Sequence, residues 1–271
     1  MSYNGGYCPN CDNYITAPLL PLDYYKCNSC MMSVHVDDLI VKRNHAVGMG
    51  GIPPRAFDFR KIASATLYDD TQNTDTVSMT GIFQAYDYVV VVVSTCGANQ
   101  YPNTVIADGT TLTQVVATGS QSHARTSVYY GQVATHASNI SVFWTGQHPH
   151  AAVVTAYVVP LLGQTPVLAS AQSTGFSSTT SSTPGNNLSP TSSNAYALYV
   201  VGVEGGDGTI ANIPSGYSLS AHDSTGTSHQ PVDCEQAVFV QDLTSSATIS
   251  SVTPLSGATW NTQCIAIFGK P

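Results

Sequence analysis

The chain has 271 residues, of which 42% are hydrophobic and only 9% charged, where roughly 25% charged is usual. Its net charge of −8 is uneven: up to residue 61 six basic residues (Lys26, Lys42, Arg43, Arg55, Arg60, Lys61) face five acidic ones, and beyond it only Arg125 and Lys270 oppose eleven carboxylates. That balance excludes a phosphate backbone as partner for residues 62–271, because such binding rests on Lys and Arg. No apolar run reaches the roughly 20 residues of a membrane-spanning helix, so neither nucleic acid nor membrane is expected.

Ser, Thr, Asn, Gly and Val stand where Lys and Glu are scarce, and these residues suit strands and turns better than helices. The expected fold class is mainly β. The start, Met1-Ser2-Tyr3-Asn4-Gly5-Gly6, has neither a basic nor an apolar leader region, so synthesis in a cytoplasm without a signal peptide is expected.

Cys8-Pro9-Asn10-Cys11 and Cys27-Asn28-Ser29-Cys30 are two C-x2-C pairs separated by fifteen residues. Two residues between cysteines let the backbone fold back so that both sulfurs face one ion, and a second such pair completes a tetrahedron. The expected ligands of a structural Zn2+ are therefore Cys8, Cys11, Cys27 and Cys30. Four thiolates leave no open coordination position, so the site holds structure and performs no reaction. Two disulfides, or iron in a rubredoxin-like site, are the competing readings. Between the pairs, Tyr14-Ile15-Thr16 and Tyr24-Tyr25 flank Pro18 and Pro21 as a β-hairpin ribbon would. A unit of roughly 40 residues needs such metal binding to fold. Residues 34–41 read as a last strand or a short helix.

Residues 45–61 read as a connector, since His45 to Pro54 holds three glycines and two prolines. From residue 62 short strands follow one another at 76–83, 86–95, 110–117, 127–134, 139–145 and 151–159, with Asp108-Gly109 and Thr145-Gly146-Gln147 as turns. The unbroken valines 89–93 predict a central strand covered on both faces. The second half repeats this order. Val89 to Val92 match Leu198 to Val201 and Val128 to Gln132 match Ala237 to Gln241, both with a shift of 109. Residues 151–160 match 262–271 with a shift of 111, and Asn139 to Val142 match Ala247 to Ser250. Two related β-halves, 62–165 and 166–271, follow from this, with packed sheets sharing a core preferred over two separate beads. Between them residues 170–193 are rich in Ser, Thr, Gly, Pro and Asn, and 165–173 looks like a further strand.

The order VVVV, DGTTLTQV, SVYYGQV, ISVFWTG, AAVVTAYVVP, then TPVLASAQSTG, ALYVVGVEGG and TWNTQCIAIFGKP resembles a loose family of duplicated β-sandwich proteins, jelly-roll or lectin-like, encoded in bacteriophage genomes and found as virion accessory proteins. The resemblance covers about residues 65–271 and consists of strand order and small-residue turns; a zinc ribbon is not a regular part of it. It implies a duplicated antiparallel β-sandwich and a virion location, with other capsid or tail proteins and further copies of the chain as partners. A closed homo-oligomer is expected, a trimer first.

Several residues invite chemistry. His222, Asp223, His229, Asp233, Cys234 and Glu235 crowd one stretch, which would suit a metal or a Cys/His nucleophile but reads more simply as a polar loop between strands. His148-Pro149-His150 reads as a solvated turn rather than a metal site, and Cys96, Cys234 and Cys264 as small buried hydrophobes. By the repeat, Cys264 falls on Val153. Trp144, Tyr129, Tyr130 and Trp260 suit a sandwich core or a sugar-stacking platform. Asp87, Asp108, Asp207 and Asp223 lie near strand ends, where Ca2+ would need them to converge. No catalytic motif accompanies them, so no enzyme is expected. The sequence points to a virion structural protein, a capsid decoration or head-fibre protein docked through its zinc head. The alternative is a lectin-like or adhesive module, including a tail or receptor-binding protein.

Overall fold

The computed structural model describes residues 5–7, 14–16, 24–26, 33–35, 60–69, 75–83, 87–97, 101–119, 123–134, 137–145, 148–159, 168–177, 195–205, 209–210, 213, 215–226, 232–243, 255–256 and 260–269. The chain divides into two compact units, residues 1–55 and 56–271. Everything regular among the described residues is strand, and every strand pairing is antiparallel.

In the first unit, β1 (Gly5–Tyr7) pairs with β2 (Tyr14–Thr16), and β3 (Tyr24–Lys26) pairs with β4 (Ser33–His35). This corrects the expected ribbon, in which 14–16 and 24–25 flanked one hairpin: each pairs instead with the strand across its own C-x2-C segment. Pro18 and Pro21 lie in the sequence between β2 and β3, where two missing N–H donors disfavour continued pairing. Residues 36–41 lie outside the described residues.

The first described strand of the second unit is β5 (Arg60–Tyr68), whose first two residues belong to the stretch read as connector. It continues through β6 (Thr76–Phe83), β7 (Tyr88–Cys96), β8 (Thr104–Ala107), β9 (Thr110–Thr111), β10 (Thr113–Gly119), β11 (Arg125–Gln132), β12 (Ala137–Phe143) and β13 (Ala151–Val159). These build sheet I, in the order β10-β11-β7-β13-β5, and sheet II, in the order β6-β12-β8-β9. The chain passes from one sheet to the other at nearly every step. Asp108 and Gly109 both have positive φ (44° and 76°) and close a two-residue hairpin between β8 and β9, the geometry that Asp-Gly favours. Leu112, buried in the core, marks the point where the chain leaves sheet II as β9 and enters sheet I as β10.

The remaining strands are β14 (Leu168–Ser177), β15 (Ala195–Glu204), β16 (Thr209–Ile210), β17 (Ser218–Ser224), β18 (Cys234–Leu243), β19 (Leu255–Ser256) and β20 (Trp260–Gly269). Sheet III runs β14-β20-β15-β18-β17, and β16 pairs with β19. Read from its other edge, sheet III has the order of sheet I: β10, β11, β7, β13 and β5 correspond to β17, β18, β15, β20 and β14.

Sheet I is covered on both faces. Val89, Val91, Val93, Ala152, Val154 and Ala156 face sheet II and pack with Val77, Val105, Ile140 and Trp144. Val90, Val92, Val128 and Tyr157 face sheet III and pack with Leu198, Val200, Val238, Ala266 and Phe268. All nine residues of β7 are buried, as the valine run predicts. Each such side chain contributes about 1.5–3 kcal/mol of burial, so this strand anchors two cores at once. A third cluster, with Tyr199, Val201, Phe239, Ile265 and Ile267, lies on the far face of sheet III.

Sheets I and III stack strand on strand: β10 against β14, β11 against β20, β7 against β15, β13 against β18 and β5 against β17. Two equivalent sheets meeting in opposite order are related by an approximate two-fold axis, which passes between β7 and β15. The ladders fix the correspondence at 108 for β7 to β15, 110 for β11 to β18, 109 for β13 to β20 and 105 for β10 to β17. On this register the bulge between Gln114 and Val116 in β10 coincides with the one between Leu219 and Ala221 in β17. The shift of 109 found in sequence for β7 is therefore one residue off. It sets Val89, which faces sheet II, on Leu198, which faces sheet I. A one-residue slip exchanges the faces of a strand, and 108 restores them. Cys264 likewise corresponds to Thr155 rather than Val153. The proposed match of Asn139 to Val142 with 247–250 falls outside the described residues.

Candidate metal centre and the polar seam of the body

Cys8, Cys11, Cys27 and Cys30 lie outside the described residues. The backbone around them is informative. In sequence Cys8 follows directly on β1 and Cys27 directly on β3, so each C-x2-C pair falls between the two strands of one hairpin. A shift of 19 carries β1 onto β3, Cys8 onto Cys27, Cys11 onto Cys30 and β2 onto β4. The strand registers agree as well: Tyr7↔Tyr14 becomes Lys26↔Ser33. The described strands of the head are thus two pairs in the same register, and in the sequence each pair encloses a C-x2-C at the same position. A strand of three residues buries too little to hold itself, and a shared Zn2+ with thiolate ligands is the chemistry that would join two such hairpins.

The second unit shows where the other candidates lie. His222 Nε2 and Glu235 Oε1 share a hydrogen bond between β17 and β18. Asp223 accepts from Lys61 Nζ at 2.7 Å. Asp233 is buried and accepts from Thr225 Oγ1 at 3.3 Å. Of the stretch read as a polar loop, His222–Ser224 close β17 and Cys234 and Glu235 open β18, so these side chains sit at strand ends; His229 and Asp207 lie outside the described residues. The His150 ring packs on Gly97, where an added Cβ would run into it. Among the described residues no three His, Cys, Asp or Glu side chains converge as a metal site requires. Trp144 and Tyr129 are buried in the core between sheets I and II, and the Tyr129 hydroxyl donates to Pro102 O at 3.0 Å. Burial raises that phenol to about 12. Tyr130 packs against the core between sheets I and III, near Phe268. The Trp260 side chain lies outside the description.

What sequence reasoning missed is a polar seam between sheets I and III. Thr126 Oγ1 lies 2.6 Å from Thr262 Oγ1 and 3.1 Å from Ser94 Oγ. Gln236 Nε2 donates to Ser94 Oγ at 3.0 Å and to Val153 O at 3.1 Å, while its Oε1 accepts from Thr155 Oγ1 at 2.6 Å. All five side chains are buried, and every bond except Ser94–Thr126, which lies within sheet I, crosses between the two sheets. Gly202 makes the approach possible: a Cβ there would overlap Thr126 Oγ1 and lie 2.8 Å from Ser94 Oγ. Satisfied networks of this kind fix one stacking geometry, because any other leaves buried polar atoms unpaired.

At the end of the seam the charge is denser. Glu204, buried at the end of β15, has Oε2 3.4 Å from His123 Nδ1 of the first half. Its carboxyl is raised above the usual carboxylate range by burial, an effect partly offset by His123 and the Ala124 backbone N–H. Cys96 and Cys234 share one small buried cluster, and Cys96 Sγ donates to Val203 O at 3.3 Å. Burial first, then Cys234 and the negative charges of Glu204 and Asp233, hold the Cys96 thiol well above its ordinary value. Such a thiol stays protonated and is a poor nucleophile. The signal in sequence was faint: β7, β13, β18 and β20 each carry one or two Ser, Thr or Gln in or beside an apolar run, and β15 offers only a glycine.

No family model, curated protein or solved structure matches this chain.

Proposed function

We propose that this chain is a non-enzymatic structural protein of a bacteriophage-like virion, a capsid decoration or head-fibre protein that docks through a zinc-bearing head. The observation that carries this reading is the strand order of the first half. Counting β9 and β10 as one interrupted fifth strand that passes from one sheet to the other, the sheets read first-eighth-third-sixth-fifth and second-seventh-fourth-fifth, which apart from that shared edge strand is the order of a jelly roll, a fold common in capsid proteins. The second half repeats the larger sheet and meets the first about an approximate dyad, which fits a duplicated sandwich. Its buried polar groups hold one half to the other, a structural use of residues that an enzyme would direct at a substrate. A surface poor in Lys and Glu loses little side-chain entropy when ordered against neighbouring copies, which suits a homo-oligomer, first a trimer.

The glycan-binding reading relied on aromatic platforms, and Trp144 and Tyr129 are core residues. A glycan array is expected to show no binding that depends on either.

Mass spectrometry of purified particles from the host system tests the location; absence of the chain from every particle would defeat the proposal. Metal analysis of the purified chain should find one zinc per chain. Chelation should release the protein from its particle and leave the body folded, since the head is a separate compact unit. Retained attachment in a Cys8→Ser, Cys11→Ser variant would remove the docking role.

A further inference from the structure

We propose that Cys96 and Cys234 form a disulfide joining the two halves of the body when the protein meets a small-molecule disulfide such as oxidised glutathione. The inference does not depend on the virion reading. Cys96 closes β7 in sheet I and Cys234 opens β18 in sheet III, so a bond between them crosses the dyad interface. Both thiols are free and fully buried, and they share one cluster with Ala124, Ala151 and Val153. The third body cysteine, Cys264, lies in the apolar cluster between the sheets with no cysteine beside it there. The pairing is thus specific to one thiol from each half.

The reaction is two exchanges. One thiol loses its proton and attacks the glutathione disulfide, giving a mixed disulfide and one reduced glutathione. The neighbouring thiol then displaces the second glutathione, so the protein dithiol is oxidised and one oxidised glutathione becomes two reduced ones. Because burial suppresses the thiolate, the first exchange waits for local opening of the strand ends next to Gly97 and Asp233. The native reaction is therefore slow and faster at higher pH. Once formed, the bond closes a loop of more than a hundred residues, which restrains the unfolded chain strongly.

The test exposes the full-length protein to oxidised glutathione in two arms, one native and one during refolding from denaturant, where access is not limiting. In both, peptide mapping should find the Cys96 peptide joined to the Cys234 peptide with loss of two hydrogens. Cys264 should remain a free thiol. The linked protein should melt higher than the reduced one and return on reduction, and Cys96→Ala or Cys234→Ala should each abolish the shift. Absence of the Cys96–Cys234 link in both arms, or stable glutathione adducts on these cysteines in its place, would overturn the proposal. So would a link that leaves the melting temperature unchanged.

Discussion

Gly202 shows how one absent side chain sets the spacing of two sheets. Nothing about its backbone calls for glycine; the hydroxyls of Thr126, Ser94 and Thr262 crowd the place where a Cβ would stand. Gly202→Ala is expected to cost about 1–3 kcal/mol in denaturant unfolding, the usual range for overpacking. Thr126→Ala should recover part of that loss in the double variant, and strict additivity of the two would show that the clash is not there. Glu204 makes a second prediction. Its carboxyl is raised by burial, so the folded state favours the protonated form more than the unfolded state does. That contribution is fully present below the ordinary carboxylate value of 4.5 and is lost as pH rises through the raised folded value. Thermal melts across that window should show wild type losing stability relative to Glu204→Gln as pH rises; a constant difference would show that Glu204 does not titrate there. At this scale the sequence said little. Glu204, Gln236 and Thr262 carry no motif, and their roles arise only when two strands far apart in the chain are laid face to face.

At the scale of elements, much more was legible. The strands expected at 76–83 and 151–159 coincide with β6 and β13, and Asp108-Gly109 does close a hairpin. The strand before that hairpin, β8, went unseen because four residues give too short a pattern. The stretch 110–117 was read as one strand, yet it breaks at Leu112 between two sheets. The repeat was recognisable, but its register was not. A strand buried on both faces has no alternation, so a run of valines matches equally well at neighbouring shifts. Only the ladders and the matching bulges separate 108 from 109. Val115 and Ser220 are the extra residues of those bulges. Deleting Val115 removes the bulge and the packing of its side chain against the core between sheets I and III. A loss of about 1–2 kcal/mol is expected, and an unchanged unfolding midpoint would refute the register.

For the whole molecule, the body behaves as one unit because its halves share a core and a seam. Residues 56–271 alone should unfold in a single transition, with coincident fluorescence and circular dichroism curves. The fragments 56–165 and 166–271 should each fail to fold alone, since separation exposes Val90, Val92, Leu198 and Val200 and strands the polar seam. Two resolved transitions would mean that the interface is incidental. The same arrangement has a consequence during synthesis. The valines of β7 are made well before the partner strands β11 and β13, and the sheet that covers their other face ends the chain. An uncharged run of five valines is the kind of segment that stacks with copies of itself. Nascent chains therefore pass through an interval in which their most buried strand is also their stickiest. Crowding of unfinished chains, more than the stability of the finished one, is then expected to govern how much of this protein a cell can make.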